Sequence, residues 1–516
     1  MDKQVFNPYM PGFEYVPDGE PHVFDGRLYV YGSHDRFDGA DFCLNDYICY
    51  SADVKDLTDW KYEGIIYRKE QDPRNGDVSA DTRVFELILG IEVKDENSLN
   101  PTGIHAMWAP DVVKGPDGRY YLYYCLDFLP EIAVAVCDTP AGKYEFLGFV
   151  QHADGCPLGT RGGDLLQFDP GIFIDDDGTV YLYSGNGPMH EEESGEGKGS
   201  QVMTLCPDML TLATEPKHLM PDIHEAVGTE YDGHAFFEAS SIRKIDGRYY
   251  FIYSSIRSHE LCYAVSDKPD EGYHFGGTLV DIADVFLDGR TDEEALNCLG
   301  NTHGGIECAD GQWYVFYHRQ TNRTNYSRQA CAEKIFIDDK GKIAQAEVTS
   351  CGLNKGSLKG IGTYPAAIAC QLNRYGKQVL SMPVVMKEDY PYLTQDIPDC
   401  EPTPELMEAD RKWPVQYIKN VKDGSVIGYK YFTFEGACRV TMQVRGKAEG
   451  SFILSVDTPE KVIGKISISL DEKNWIPVSG MTEIIDGVHA LYFRFEGNGS
   501  LDFANFTLEP GCSENL

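Results

Sequence analysis

The sequence predicts an all-β protein, a five-bladed β-propeller followed by a jelly-roll-like β-sandwich. Three observations carry that reading. An aromatic-rich strand opened by Asp-Gly returns five times, at Asp25-Gly26, Asp117-Gly118, Asp177-Gly178, Asp246-Gly247 and Asp310-Gly311. One polar residue stands six to eight positions ahead of each, in chain order Asp18, Asp111, Asp169, Glu238 and His303. The 32 Tyr and 25 Phe beside 52 Gly and 27 Pro suit many short strands closed by turns, and no long window carries a helical period.

Each repeat reads as a β-hairpin, because Asp-Gly supplies the positive-φ residues of a tight I′ turn between alternating strands. Successive Asp-Gly pairs are 92, 60, 69 and 64 residues apart. That is room for four short strands and their loops, one propeller blade, so the propeller is expected over residues 1–350. The first strand of every blade lines the central channel, and the five polar residues are therefore expected to meet in one pit. Asp175-Asp176-Asp177 has the look of a calcium loop but lacks the Gly and Glu positions of one, and reads as the hairpin turn itself.

After the fifth repeat the pattern changes. Residues 351–405 carry Pro383, Pro391, Pro398, Pro402 and Pro404 and read as an extended crossover. Over residues 406–516 short strands resume at eight- to twelve-residue spacing, as in a β-sandwich.

Charge and cysteine usage narrow the partners. A formal net charge of −37 argues against nucleic acid or an anionic membrane, which are bound by clustered Lys and Arg, and favours a neutral substrate. No stretch approaches 18 uninterrupted apolar residues, and the start of the chain lacks a basic region followed by an apolar core. The 15 cysteines are odd in number and scattered, without zinc-type pairs or a compact disulfide framework. The expected setting is the cytoplasm.

Asn7-Pro-Tyr, Pro17-Asp-Gly-Glu-Pro-His-Val-Phe24, Tyr31-Gly-Ser-His-Asp35, Trp108-Ala-Pro-Asp111, Phe168-Asp-Pro-Gly-Ile-Phe173 and Phe237-Glu-Ala-Ser-Ser241, in this order and in phase with the repeats, resemble glycoside hydrolase family 43 over residues 1 to about 345. The resemblance implies a five-bladed propeller that hydrolyses glycosidic bonds with inversion, as α-L-arabinofuranosidases, β-xylosidases and arabinanases do. More loosely, Asp423–Phe432 and Gly487–Tyr492 resemble a family 6 carbohydrate-binding module.

Carried over by position, the resemblance makes Asp18 the general base, Glu238 the general acid and Asp169 the residue that orients the acid and tunes its pKa. Inversion needs one ionised carboxylate to activate water and one protonated carboxyl to protonate the leaving oxygen. The usual Asp-Pro of the first blade is replaced by Asp18-Gly19-Glu20-Pro21, so Asp18 or Glu20 can be aligned with it. Counting back from His22 favours Asp18, and alternation places Glu20 on the same face one pleat further on, where it binds sugar hydroxyls or caps a strand. Asp111 holds backbone amides or the acid network, or contacts substrate. Trp108 stacks on a sugar or packs between blades. Arg328 matches the family's fifth-blade arginine, either reaching into the pocket or closing an inter-blade salt bridge. His303 corresponds to a histidine that in relatives lies near a hydrated calcium, so Ca2+ in the channel is implied, with no organic cofactor.

The activity so implied is exo-hydrolysis of terminal α-L-arabinofuranosyl residues from arabinoxylan- or arabinan-derived oligosaccharides, or of β-xylosyl residues. A catalytically silent carbohydrate-binding propeller is the alternative of another class, and carboxylates at all three working positions speak against it. A sialidase-like propeller would need Ser-x-Asp-x-Gly-x-Thr-Trp boxes, and none occurs.

Overall fold

The computed structural model describes residues 3–39, 41–75, 105–127, 129–376, 389–397 and 414–510. Five antiparallel meanders follow one another. The first is β1 (Glu20–Phe24), β2 (Arg27–Tyr31), β3 (Tyr47–Asp53) and β4 (Asp56–Tyr67). The second is β5 (Met107–Lys114) to β8 (Glu145–Phe149), by way of β6 (Tyr120–Leu126) and β7 (Ile132–Cys137). The third comprises β9 (Gly171–Ile174), β10 (Val180–Ser184), β11 (Gln201–Leu205) and β12 (Lys217–His218). The fourth comprises β13 (Phe236–Ile245), β14 (Arg248–Ser255), β15 (Glu260–Ser266) and β16 (His274–Asp281), and the fifth β17 (Ile306–Ala309), β18 (Gln312–Thr321) and β19 (Thr324–Ile335). These are the five blades of a propeller.

All five Asp-Gly pairs turn from the first strand of a blade into the second, but by two kinds of turn. At Asp25-Gly26, Asp246-Gly247 and Asp310-Gly311 both residues have positive φ, as a I′ turn requires. At Asp117-Gly118 and Asp177-Gly178 only the glycine does, and its N–H bonds back to Gly115 O and Asp175 O, which makes a longer loop with a single left-handed residue. Asp175-Asp176-Asp177 is thus a hairpin turn, and Lys244 Nζ pairs with Asp175 and Asp176 at 2.6 and 2.8 Å.

Between blades the packing is aromatic. Tyr31, Tyr47, Tyr67, Tyr120, Tyr124 and Tyr144 bury their rings between blades one and two, while Tyr183, Phe236, Phe251 and Tyr253 do so between three and four. Each such ring contributes roughly 1.5–3 kcal/mol of burial, and the hydroxyls are satisfied at the rims, as Tyr31 is at Pro140 O and Tyr253 at His234 O, both by bonds under 3 Å. The ring closes where the chain's start meets its fifth blade. Gly19 and Gly304 form a parallel bridge, and the Asn7 side chain accepts from Ala332 N at 3.0 Å and donates to Ala332 O at 2.9 Å, standing in for a paired strand at the edge of β19.

The stretch expected as a crossover is largely structural. Within 351–405 lie β20 (Leu358–Lys359), β21 (Gly362–Pro365), β22 (Gln371–Arg374) and β23 (Tyr392–Gln395), all belonging to a sheet with β24 (Gln416–Val421), β25 (Ser425–Val456) and β26 (Val462–Pro510). Pro383, Pro398, Pro402 and Pro404 lie outside the described residues. The two long strands curl so that β25 pairs with different stretches of β26 along both its edges, for example Val440 with both Leu508 and Gly480. Their inner faces enclose Phe432, Met442, Phe452, Phe493, Phe503 and Phe506.

This sheet is fastened to the propeller by polar contacts. Lys430 Nζ, buried, lies 2.8 Å from Glu347 and 3.3 Å from Asp284, Asn322 N donates to Leu393 O at 2.7 Å, and Tyr15 donates to Gln395 Oε1 at 2.8 Å. Burial pushes Asp284 up to about 6 despite the lysine. We therefore expect Lys430→Met to cost ~3–5 kcal/mol by leaving a buried carboxylate unpaired. Removing the lysine lifts the Asp284 pKa further, so the loss is smallest near pH 5, where Asp284 is protonated at little cost, and grows as pH rises. Urea unfolding of the variant across that range checks both the size and the slope.

Candidate active site

The first strands of the blades break their own alternation at one level. Asp18, Ala109, Asp169 and Ala239 have φ of +57°, +34°, +43° and +69°, one left-handed residue in each of four blades. Non-glycine residues pay ~1–3 kcal/mol for such backbone, a strain concentrated at functional sites. In β5 and β13 it coincides with register shifts between Trp108 and Asp111 and between Glu238 and Ser241. These bulges re-aim side chains.

Two levels of polar side chains result. Asp18, Asp169, Glu238 and His303 interact at the first, and the groups two or three residues further on form the second: Glu20, Asp111, Ser241 and Gly305. The repeat position of the second blade is therefore held at the first level by Ala109, while Asp111 sits one pleat deeper. Asp111 accepts N–H bonds from Val112 at 2.6 Å and Ile172 at 2.7 Å and lies 2.6 Å from His22 Nε2. Glu20 is on the channel face at the second level, accepting from Ser241 Oγ at 2.8 Å, and a Cβ on Gly305 would lie 2.6 Å from its carboxylate.

The carboxylates differ in their counter-charges. Arg328 is buried and donates to Asp35 through Nε and Nη2, each at 2.9 Å, and through Nη1 to Asp18 Oδ1 at 3.0 Å. Burial pushes the Asp18 carboxyl up more than any one neighbour lowers it, but Arg328, the two nearby imidazoles and a hydrogen bond from Ser33 together reverse the shift, and the net is downward. His318 Nδ1 accepts the N–H of Asp18 at 3.1 Å, and burial together with Arg328 holds that imidazole near 3, so it is neutral and the charge on Asp18 is balanced by the guanidinium. Asp169 lies 3.4 Å from His303 Nδ1. Burial disfavours charge on that imidazole, yet Asp169 outweighs it and lifts His303 to about 9. Burial raises Asp169, with His303 offsetting part of the shift.

Glu238 has no cationic partner among the described residues. Burial, then the charge of Asp169, then that of Asp18 push it well above the ordinary carboxyl range, and Asn186 Nδ2 donates to its Oε2 at 3.3 Å. One acid in the pit is shifted toward its ionised form and another toward its protonated form, the direction of division that acid–base chemistry on a neutral substrate requires.

Trp108 is partly exposed at this pit, edge-on to Phe168 at 5.4 Å and to Phe42 at 6.4 Å, and Phe42 covers the Arg328 guanidinium at 4.8 Å. Arg328 has taken the salt-bridging role, binding two carboxylates from the blade-one region to the fifth blade. Sequence reasoning missed Asp35, His318 and Arg243. Asp35 stands in the Tyr31–Asp35 motif, but nothing local marked it as the guanidinium's partner.

The residues around His303 do not fit a hydrated calcium. Its Nδ1 faces Asp169, and the space below it, left by Gly305, is filled by Glu20, whose Oε1 lies 2.8 Å from the Arg243 guanidinium. Arg243 also reaches Glu307 at 3.4 Å and the Ile242 carbonyl at 2.7 Å, so the chain supplies a cation of its own in the channel. Glu20, His22 and Asp111 bring three donor atoms within 4.8 Å, but Glu20 is committed to Arg243 and His22 to Asp111. A calcium at a hundred times its Kd would add roughly 2.7 kcal/mol of stability. We expect the thermal midpoint to be the same in EDTA and in millimolar calcium, as differential scanning calorimetry will read.

Comparison with known proteins gives a consistent picture. The sequence profile of glycosyl hydrolases family 43 matches residues 89–343. A xylosidase/arabinosidase of Thermoclostridium stercorarium is 45% identical over 511 residues, covering 98% of this chain and 99% of its own. A β-xylosidase of Xylanibacter ruminicola is 30% identical, over 64% of this chain and 96% of its own, and an arabinoxylan arabinofuranohydrolase of Paenibacillus polymyxa is 25% identical, over 95% and 72%. Among solved structures, a GH43_1 enzyme from Xanthomonas citri superposes with a TM-score of 0.50 at 24% identity, over 69% of this chain and 97% of that one, a likeness of fold.

Proposed function

The chain belongs to glycosyl hydrolases family 43, and we propose that this glycoside hydrolase releases terminal α-L-arabinofuranosyl residues, with inversion, from short arabinoxylan- or arabinan-derived oligosaccharides. The observation that carries the reading is the opposite surroundings of two carboxyls in one buried pit: Asp18 accepts from the Arg328 guanidinium at 3.0 Å and is shifted down, whereas Glu238 has no cationic partner among the described residues and is pushed up by burial and Asp169. Asp18 acts as general base on the attacking water. Glu238, on the fourth blade, protonates the glycosidic oxygen as it leaves, and Asp169 raises the acid's pKa while staying paired with His303. In an inverting site the two carboxyls stand far enough apart to admit that water, and Asp18 and Glu238 belong to different blades. Trp108 and Phe42 offer apolar ring surface to the sugar.

A second activity, release of terminal β-xylosyl residues, is supported by relatives named as β-xylosidase and as xylosidase/arabinosidase. Arabinofuranose and xylopyranose present the glycosidic oxygen and the hydroxyls at similar places, so one pit can serve both. Thirteen described cysteines are free, which suits a reducing compartment and, with it, soluble oligosaccharides as substrate.

Three measurements test the reading. Glu238→Gln should lose ~10² to 10⁴ in rate on substrates with poor leaving groups and little on activated aryl glycosides; equal, small losses on both would remove Glu238 from the acid's role. Asp18→Asn should be inactive and Glu20→Gln measurably active, whereas the opposite pattern moves the base by two residues. Proton NMR of the first sugar released identifies both its ring and its anomer, with inverted arabinofuranose expected; a retained anomer would overturn the mechanism, and xylose alone only the substrate.

A further inference from the structure

One side chain outside the expected set is built into the pit with unusual care. Gly185-Asn186-Gly187 follows β10 and runs between the segments that carry two of the acids. Gly185 N donates to Phe168 O at 2.9 Å, one residue before Asp169, and Gly187 N donates to Phe237 O at 2.6 Å, one residue before Glu238. From the other side, Gly199 N donates to Asn186 O at 2.8 Å. Both flanking glycines are required by space: a Cβ on Gly185, at φ +131°, would lie 1.9 Å from Gly199 O, and one on Gly187 would lie 2.5 Å from Phe236 O.

The clip fixes Asn186, fully buried, with its Nδ2 toward Glu238 Oε2 at 3.3 Å. Its Oδ1 is buried without a hydrogen-bond partner among the described residues. Leaving an acceptor unfilled costs ~1–3 kcal/mol, and an apolar side chain of similar size would avoid that cost if packing were the only requirement.

We propose that Asn186 is a positioning residue for the proton donor: its amide N–H holds Glu238 Oε2 as an acceptor, so that the acid's proton resides on Oε1 and is available to the leaving oxygen. This rests on the reading of Glu238 as the general acid. A carboxyl has two oxygens and one proton, and the partner that donates to one oxygen decides where the proton stays. When the proton passes to the leaving oxygen and Glu238 becomes a carboxylate, the same N–H continues to donate to Oε2, now as the stronger bond of an ionised acceptor. Asn186 therefore favours the ionised form to a degree, counteracting the upward push of burial and Asp169.

The test is Asn186→Asp, which keeps the shape and exchanges the donor for an acceptor, beside Asn186→Ala. On an unactivated oligosaccharide kcat should fall roughly 10- to 100-fold, the range in which misplaced catalytic groups act, with KM nearly unchanged. On an activated aryl glycoside kcat should be largely spared. The basic limb of the kcat/KM pH profile should move to higher pH in both variants, because the ionised acid has lost its donor. An Asn186→Asp enzyme with wild-type thermal midpoint, leaving-group dependence and pH profile would overturn the proposal. Glu238→Gln, run in parallel, separates the two readings: leaving-group dependence there without any effect at Asn186 defeats the positioning role alone, and its absence in Glu238→Gln defeats the acid assignment on which both depend.

Discussion

The channel places more carboxyls in one buried volume than can be ionised together, and the arrangement of charges around them follows from that constraint. Two unit charges 4 Å apart repel by about 4 kcal/mol even at an effective dielectric of 20. Each described acid of the pit is given its own answer. Asp18 and Asp35 share Arg328, Asp169 faces His303, Glu20 faces Arg243, Asp111 faces His22, and Glu238, with no cationic partner among the described residues, is pushed well above the ordinary carboxyl range. The asymmetry on which acid–base chemistry depends is thus set by where the cations are placed.

Backbone strain and ring closure serve the same end. The left-handed residues Ala109 and Ala239 within β5 and β13, and Asp18 and Asp169 just ahead of β1 and β9, turn the chain in four of the blades, so one run of side chains supplies an upper level and, beneath it, a bracing level. The two levels stay in register only while the blades do. Contacts between the first blade and the fifth, at Gly19–Gly304, Asn7–Ala332 and Asp35–Arg328, tie sites more than 280 residues apart in sequence, and Asp18 and its guanidinium partner are held by the same seam.

The five blades were legible in the sequence because the turn chemistry of Asp-Gly is local and repeats in phase. The split into two turn types was legible in principle, since Pro116 and Asp176 lengthen their loops by a residue. The level of Asp111 was not, because a bulge moves alternation by one position without changing the composition of the strand. Arg243 and His318 were invisible for another reason: their partners Glu20 and Asp18 lie more than 200 residues away, and a lone buried arginine or histidine carries no local mark. The strands at 358–395 were misread as crossover because segments of two to four residues interrupted by proline have no period, and only the long curled strands they pair with give them their role.

Those short strands bear on how such a protein can arise and diverge. Appended sugar-binding modules are commonly pictured as cassettes, exchanged between enzymes by recombination in the spacer that joins them. Here the spacer supplies β20 to β23 to the very sheet it leads into, and β23 also reaches back to the Asn322 turn of the fifth blade. A crossover event anywhere between residues 358 and 395 would divide one folding unit between two parents. An exchange that keeps the second lobe intact has to cut ahead of β20, so that all seven strands of its sheet travel together.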